Sequence, residues 1–326
     1  MSAYLLTHSE TLALSTLLHL PVQPGSVLSD WLGSGKFPES TDLPGESLSS
    51  LAGKGYYSPE DKEQSIQPEL LQSLTLASVN AAEITAILRR NGQAALTRFA
   101  QAGKSVMQYG MEAEHLSLHP VAGQAMLAEK IIPDWFTVSQ DERLQAELPL
   151  GAFLLFKQAC ELADLTATET NFESGQFVKS NLLEQGKLLD GWVDIFNAGG
   201  LGGMPVLDQM PLEDEYKLLV SKGFLQESVP DTIGIGTVGK ALADSFSDPD
   251  MCSLIVSLQI WDGGSSKTGA FLYGGERLFF LDASRKLGVF VIRQLADHQE
   301  GCSWVKNLLV EGSHARFADY VIAPVK

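Results

Sequence analysis

The chain has 326 residues, of which 44% are hydrophobic and 19% are charged. This balance supports a sizeable buried core and excludes a chain dominated by disorder. The 40 acidic and 23 basic residues give a formal net charge of −17, so the overall field opposes nucleic acids and anionic membranes. The length predicts two units, residues 1–140 and 141–326, either as separate domains or as one fused globule.

The cysteines and the apolar runs predict a cytosolic protein. Cys160, Cys252 and Cys302 lie far apart in the sequence, so neither a disulfide framework nor a zinc-ligand spacing is visible. The first ten residues have no basic stretch and turn polar after six residues, unlike a signal peptide. The longest apolar run, residues 148–156, is shorter than a membrane span.

The first unit is predicted to open with helices. Thr7 and Glu10 have the spacing of a capping box, Gly55 suits the position after a helix, and Pro68 suits a first helical turn. The predicted helices cover residues 7–20, 46–54 and 68–76. The stretch 22–46 is rich in proline, glycine and serine and is assigned no helix, and Trp31 and Phe37 are its expected packing anchors.

An antiparallel meander is predicted to follow these helices. Apolar and polar residues alternate from Ala82 to Leu88, which is typical of a half-buried strand. Asn91-Gly92 is a strong signal for a two-residue hairpin turn. Further strands are predicted over residues 94–101, 104–109 and 114–118, with a closing helix over residues 121–132.

The second unit repeats this order. Residues 197–204 form a glycine-rich stretch that is predicted to be a flexible loop, and Asp262-Gly263 is the counterpart of Asn91-Gly92. Helices are predicted over residues 149–165, 175–189, 213–221, 238–246 and 303–310. Strands are predicted over residues 254–261, 268–273, 277–281 and 287–293.

The shared order predicts an internal duplication. Lys54-Gly55-Tyr56 follows a helix in the first unit, and Lys222-Gly223-Phe224 follows the corresponding helix in the second. We therefore expect an α+β fold of two quasi-equivalent halves, each with winged-helix-like helices, an antiparallel meander and a closing helix. Packing about a pseudo-twofold axis, with the two sheets joined edge to edge, would hide strand edges that otherwise aggregate.

A dinucleotide-binding enzyme is one alternative. Gly234, Gly236 and Gly239 precede a predicted helix, and Asp262 ends the next strand, which imitates the fingerprint that binds a pyrophosphate and a ribose. The preceding segment is too short for the required strand, and hairpins rather than βαβ units follow. The sequence therefore favours a protein without a cofactor.

A winged-helix DNA-binding regulator is the second alternative. Glu213, Asp214 and Glu215 open the helix that would enter the groove, and their charge disfavours nucleic acid. The neighbouring histidines His115 and His119 would lie roughly 13 Å apart on a strand, too far for one metal ion. The pattern indicates neither catalytic residues nor a metal site.

Residues 48–57, then residues 66–74, then alternating strands resemble the EspG family of type VII secretion chaperones. The resemblance implies two quasi-equivalent halves, a central antiparallel sheet and helical bundles beside it. It also implies a non-enzymatic protein that binds PE–PPE substrate pairs. The leading hypothesis is thus a non-catalytic cytosolic adaptor or chaperone that binds a protein partner, such as a secretion substrate, and binds no membrane.

Overall fold

The protein is α+β, with helices packed on both faces of a large antiparallel sheet. The computed structural model describes residues 3–33, 45–60, 65–136, 144–170, 176–185, 212–229, 231–261, 266–284 and 289–315. The described helices are α1 His8–Leu17, α2 Val27–Leu32, α3 Gly45–Gly53, α4 Pro68–Val79, α5 Gln124–Ile131, α6 Leu150–Thr170, α7 Lys179–Gln185, α8 Leu212–Ser221, α9 Lys240–Phe246 and α10 His298–Ser313.

The described strands form two sheets. The strands are β1 Tyr4–Leu6, β2 Ala82–Arg90, β3 Gln93–Ala102, β4 Ser105–Met111, β5 Leu116–Leu118, β6 Ala122–Gly123, β7 Gln145–Pro149, β8 Phe177–Val178, β9 Leu225–Val229, β10 Thr232–Ile235, β11 Cys252–Ile260, β12 Ser266–Gly274, β13 Arg277–Ser284 and β14 Val289–Gln294. The large sheet has 11 strands in the order β1-β5-β4-β3-β2-β11-β12-β13-β14-β7, with β6 beside β4. The small sheet has the order β8-β10-β9.

The two predicted units meet at the antiparallel pair β2–β11. Pairing runs from Ala82 opposite Ile260 to Arg90 opposite Cys252, with Ala86 opposite Val256 at its centre. Outward from this joint the first unit adds β3, β4, β5 and β1, and the second adds β12, β13, β14 and β7. This mirrored order of strands is expected when two sheets join edge to edge. The internal duplication itself stays a prediction.

The helices cover different parts of the two faces. On one face, α5 and α10 cover the centre, where Val305 and Leu309 pack with Ile84 and Val256. On the opposite face, α1–α4 pack over Ala100, Met107 and Leu118 of the first unit. The helices α6, α8 and α9 pack over Leu272, Phe279 and Ile292 of the second.

Several sequence expectations need correction. The stretch 22–46 contains α2, which Ser26 caps by accepting a hydrogen bond from the Ser29 amide. Within the range 175–189, where a helix was expected, β8 comes before the helix α7, and residues 225–235, for which no strand was predicted, form the hairpin β9–β10. The edge strands β1 and β7 were not predicted, because short strands carry little periodicity. The expected loop 197–204 and the turn Asp262-Gly263 lie outside the described residues.

The Lys-Gly-aromatic motif ends a helix in the same way in both units. Gly55 and Gly223 have φ of +71° and +74°, the left-handed conformation that favours glycine after a helix. The next amide, of Tyr56 or Phe224, donates to the carbonyl of Leu51 or Leu219 at 2.9 Å in each unit.

In the first unit the same motif also covers a sheet edge. Lys54 Nζ donates to the Leu5 carbonyl at 3.1 Å, and the Leu5 amide donates to the Tyr56 hydroxyl at 3.3 Å. Leu5 lies in β1, the last strand on this side of the sheet. The outward backbone groups of that residue are thus bonded to side chains and are not free to pair with another strand.

Glu10 ties α1 to this motif. Its carboxylate is buried and accepts from Lys54 Nζ at 2.7 Å, Ser50 Oγ at 2.8 Å and the Thr7 amide at 2.8 Å. Burial acts to raise the pKa of Glu10, but these hydrogen bonds and the Lys54 charge outweigh it and lower the pKa.

We expect Glu10→Gln to lower the free energy of unfolding at pH 7 by roughly 1–3 kcal/mol, since it removes a buried charged acceptor. Because the folded-state pKa is lowered, the contribution of Glu10 is present above its unfolded pKa and is lost as the pH falls through the folded value. Urea unfolding from pH 7 to pH 3 measures this. The matched control is exposed Glu112, whose Gln variant should be neutral, and a deficit in Glu10→Gln that is independent of pH would contradict the prediction.

Candidate functional site

The glycine fingerprint lies in the small antiparallel sheet and its following turn. Gly234 lies in β10, which pairs with β9, and Gly239 precedes the seven-residue helix α9. A Cβ on Gly236 would meet the Gly223 carbonyl oxygen at 2.2 Å, and one on Gly239 would meet the Phe156 ring at 2.7 Å. The chain's own backbone and Phe156 occupy the space beside these two glycines. Asp262 lies outside the described residues.

The segment from α8 to α9 has the helix and hairpin order of a winged helix. Glu213, Asp214 and Glu215 occupy the first turn of α8, as the sequence indicates. Lys179 Nζ lies 2.8 Å from Glu213 and 4.3 Å from the Tyr216 ring centre. The exposed surface of α8 is therefore acidic where a DNA-reading helix requires basic side chains.

The other predicted site residues do not converge. His115 precedes β5 and His119 follows it, and in the described parts of the chain no three His, Cys, Asp or Glu side chains are grouped to hold a metal ion. Burial raises the pKa of the three thiols, which opposes thiolate formation. In the same parts, every helix is too short or too polar to span a bilayer.

The most exposed part of the central sheet is the β2–β3 hairpin. We call residues 88–97 the open hairpin. Asn91 and Gly92 have φ of +52° and +71°, as a type I′ turn requires. Residues 90–96 are all exposed, and the Leu96 side chain retains 53% of its accessible surface. An apolar side chain thus lies in solvent in the middle of a strand.

One edge of this hairpin has no strand beside it among the described residues. β2 pairs with β3 along its whole length, from Ala82–Gln101 to Arg90–Gln93. β4 pairs with β3 only from Ala102 back to Arg98 and then continues beside β5. Residues 93–97 of β3 therefore have an unpaired outer edge, although they lie near the middle of the sheet.

The base of the open hairpin is firmly packed. Ile87 packs against the core under α6 and α9, and Leu88 packs against the core under α5 and α10. On its other side β2 is paired with β11 as far as Arg90 and Cys252. The hairpin is consequently held from one side and both faces, and it presents its free edge on a rigid support.

A partly buried polar cluster lies where β3 meets β4. Burial raises the pKa of Glu83, while the Tyr109 hydroxyl and the Arg98 charge act in the opposite direction. Burial also raises the pKa of Asp30 on α2, and Arg98 again opposes it. Arg98 therefore lies near two carboxyl groups.

Two further arginines lie beside the hairpin turn. Arg89 and Arg90 have no carboxylate within ion-pair distance in the described part of the chain. The Arg89 Nε atom is buried and has no hydrogen-bond partner there. These two side chains place one positive charge on each face of the hairpin, on a molecule with a net charge of −17.

An aromatic group lies beside the same turn. The Arg90 guanidinium is centred 5.0 Å from the Trp135 ring. Trp135 packs edge-on against Phe136 and Tyr273, with ring centres 4.7 and 5.7 Å away, and it remains 37% exposed. Exposed tryptophan and arginine are residue types that supply much of the binding energy in protein interfaces.

The sequence predicted the hairpin but not the function of its edge. The hairpin is predicted by the alternation of apolar and polar residues and by the Asn91-Gly92 turn, and both signals lie within the hairpin itself. The edge is exposed because β4 leaves β3 after Tyr109 and continues beside β5, and no local pattern in the sequence marks the point at which it leaves. The approach of Trp135 to Arg90 likewise joins segments 45 residues apart, for which the sequence carries no signal.

Comparison with known proteins gives a distant structural likeness. No family model and no curated protein matches the sequence. Among solved structures, the chain is similar to the Mycobacterium tuberculosis type VII secretion system chaperone EspG5, solved in complex with a PE25-PPE41 dimer. The two are 11% identical with a TM-score of 0.45, and the match covers 94% of this chain and 96% of that chain. It agrees with the family resemblance predicted from the sequence and is distant in fold.

We expect Gly236→Ala to lower the free energy of unfolding by roughly 1–3 kcal/mol, because the new Cβ must displace the Gly223 carbonyl. The matched control is Gly234→Ala, whose Cβ would meet only Gln176 Cγ, at 3.8 Å; its effect should stay within about 0.5 kcal/mol. Chemical denaturation measures both values. Equal destabilisation by the two variants would contradict the packing role assigned to Gly236.

Proposed function

We propose that this chain is a non-catalytic adaptor or chaperone that binds a protein partner at the open hairpin and the adjoining Arg90–Trp135 contact. The observation that carries the proposal is the unpaired edge of residues 93–97, with Leu96 exposed on a rigidly supported strand. Exposed strand edges readily pair with other chains, and natural proteins normally cover them.

Both faces of the hairpin carry residue types that suit a protein–protein contact. Leu96 and Arg89 lie on the face of Ile87, whereas Arg90 and Trp135 lie on the face of Leu88, so a partner seated on the free edge reaches both pairs. Interfaces are enriched in aromatic and arginine side chains, and charge at the rim adds specificity and speeds association.

We further propose that the protein works in the cytosol and that its partner is a secretion substrate. Three buried, widely spaced cysteines suit a reducing compartment. The residues that resemble type VII secretion chaperones suggest the class of partner. The geometry supports neither alternative function. The chain's own atoms occupy the space beside Gly236 and Gly239, where a dinucleotide would bind, and the first turn of α8 is acidic, which disfavours DNA binding.

We expect Leu96→Asp to reduce recovery of the partner roughly tenfold or more, because it places a charge in the centre of the contact. The tagged full-length chain and the variant are used for capture from the native host, and each recovered protein is identified and then bound in purified form. The control is Val310→Asp on α10, because Val310 is 49% exposed and lies away from the hairpin.

Recovery of one defined partner by the parent chain and by Val310→Asp, with loss in Leu96→Asp, supports the proposal. Repeated recovery of no protein partner contradicts the adaptor function. Equal recovery by Leu96→Asp shows that a partner binds elsewhere and contradicts the assigned site.

A further inference from the structure

We propose that the open edge of β3 takes up an extended segment of the partner as an additional β-strand, and that this segment carries acidic residues at the end beside the hairpin turn. The inference rests on the proposed function, because it specifies how the partner is bound. It defines the chemistry of the partner segment. That segment has backbone N–H and C=O groups free to pair, small or apolar residues in its middle and a negative charge beside them.

The backbone pattern of the hairpin identifies the groups that would pair. A two-residue turn makes its flanking residues, Arg90 and Gln93, a hydrogen-bonded pair. Bonding alternates along the ladder, so residues 93, 95 and 97 direct their N–H and C=O groups towards β2. Ala94 and Leu96 direct theirs outwards, in phase with Arg98, which is opposite Tyr109 of β4.

Four outward backbone groups, two on Ala94 and two on Leu96, therefore have no strand beside them among the described residues. Solvated edges of this kind are the template for β-strand addition, in which main-chain hydrogen bonds supply affinity and alternate side chains supply specificity. Five residues extend for roughly 16 Å, enough for a short added strand.

This edge lacks the protection found elsewhere in the molecule. At β1, Lys54 and Tyr56 occupy the backbone groups of Leu5. The sequence of residues 93–97, Gln-Ala-Ala-Leu-Thr, contains neither a charge nor a proline, although these are the usual means of blocking an edge. The contrast indicates an edge kept available for pairing.

Local charge specifies the occupant. Arg89 and Arg90 have no carboxylate within ion-pair distance in the described part of the chain, whereas at the other end of the edge Arg98 lies near the carboxyl groups of Asp30 and Glu83. At physiological salt, charges are screened over roughly 8 Å, so Arg89 and Arg90 act on a segment beside the turn more strongly than the net charge of the whole molecule does. An acidic segment is therefore attracted, whereas a second copy of this chain, with its net charge of −17, is repelled as a whole.

Synthetic peptides test the inference directly. The probe is a heptapeptide of alternating threonine and valine with glutamate at both ends, and its comparison has lysine at both ends. Each is titrated into the isotopically labelled full-length chain. The glutamate peptide should shift the amide signals of Ala94 and Leu96 and slow their hydrogen exchange. The lysine peptide should bind about fivefold to tenfold more weakly, and the difference should shrink with added salt.

A backbone variant separates strand addition from other contacts. Ala94→Pro removes one outward N–H and no hydrogen bond to β2, a position where an edge strand accepts proline. It should leave the melting temperature nearly unchanged and weaken the glutamate peptide roughly tenfold. The control is Gln93→Ser, which changes an equally exposed side chain and keeps every outward N–H group. This variant should bind the peptide as the parent chain does.

Three results would overturn the inference: no binding of either peptide at millimolar concentration, unchanged binding by a folded Ala94→Pro, or concentration-dependent protection of Ala94 and Leu96 without peptide. The last would assign the edge to a second copy of the chain. These results leave the proposed function intact if a partner is still captured in a Leu96-dependent manner. Peptide binding without any captured partner would instead overturn the proposed function alone.

Discussion

The antiparallel pairing of β2 with β11 is the interaction on which the architecture depends. It joins residues about 170 positions apart over the full length of both strands, and every other strand of the large sheet is added outwards from it. Without this joint, β2 and β11 would be exposed hydrophobic edges in two smaller sheets. Such edges aggregate, so the pairing stabilises the fold and also removes a hazard.

The same joint decides where helices can pack. Apolar residues of β2 and β11 on one face bind α5 and α10 at the centre. On the opposite face, the two groups of helices lie over the flanks, on either side of the joint. Each unit thus buries its own core while sharing the central one, and the molecule needs all three cores to cover a sheet of this width.

The open hairpin results from this arrangement rather than from a separate binding module. β11 supports β2 to its end, but β4 leaves β3 after Tyr109 to pair with β5. Residues 98–102 of β3 are therefore paired on both sides, whereas residues 93–97 are paired only with β2 among the described strands. Pairing with β2 sets the direction of the backbone groups there before any partner binds, which lowers the entropy lost on binding. This combination of support and exposure gives the proposed contact its specificity.

Local sequence signals predicted much of the secondary structure. The capping box of Thr7 and Glu10, Pro68 in the first turn of α4, and the Asn91-Gly92 turn are all present in the structure. Each depends on side chains within a few residues, so the sequence carries the full information. The predictions failed for β1, β7 and the hairpin β9–β10, because short strands are defined by partners remote in the sequence.

The glycine fingerprint also shows that a local sequence pattern does not explain itself. The spacing of Gly234, Gly236 and Gly239 is a local pattern, yet the reason for two of these glycines is the approach of Gly223 and Phe156 from other elements. A pattern of glycines indicates positions where a side chain would not fit, and only the folded chain shows which atoms occupy the space beside them. The predicted duplication agrees with the mirrored strand order and remains a prediction.

The sequence by itself determined the α+β class, the hairpin at Asn91-Gly92, the shared helix endings at Gly55 and Gly223, and the acidic first turn of α8, because each follows from neighbouring residues. Only the tertiary structure decided which strands join the two units, which edge stays open, and that Arg90 meets Trp135. Those outcomes depend on competition among strands for partners far apart in the chain, and such competition is resolved by packing rather than by local preference.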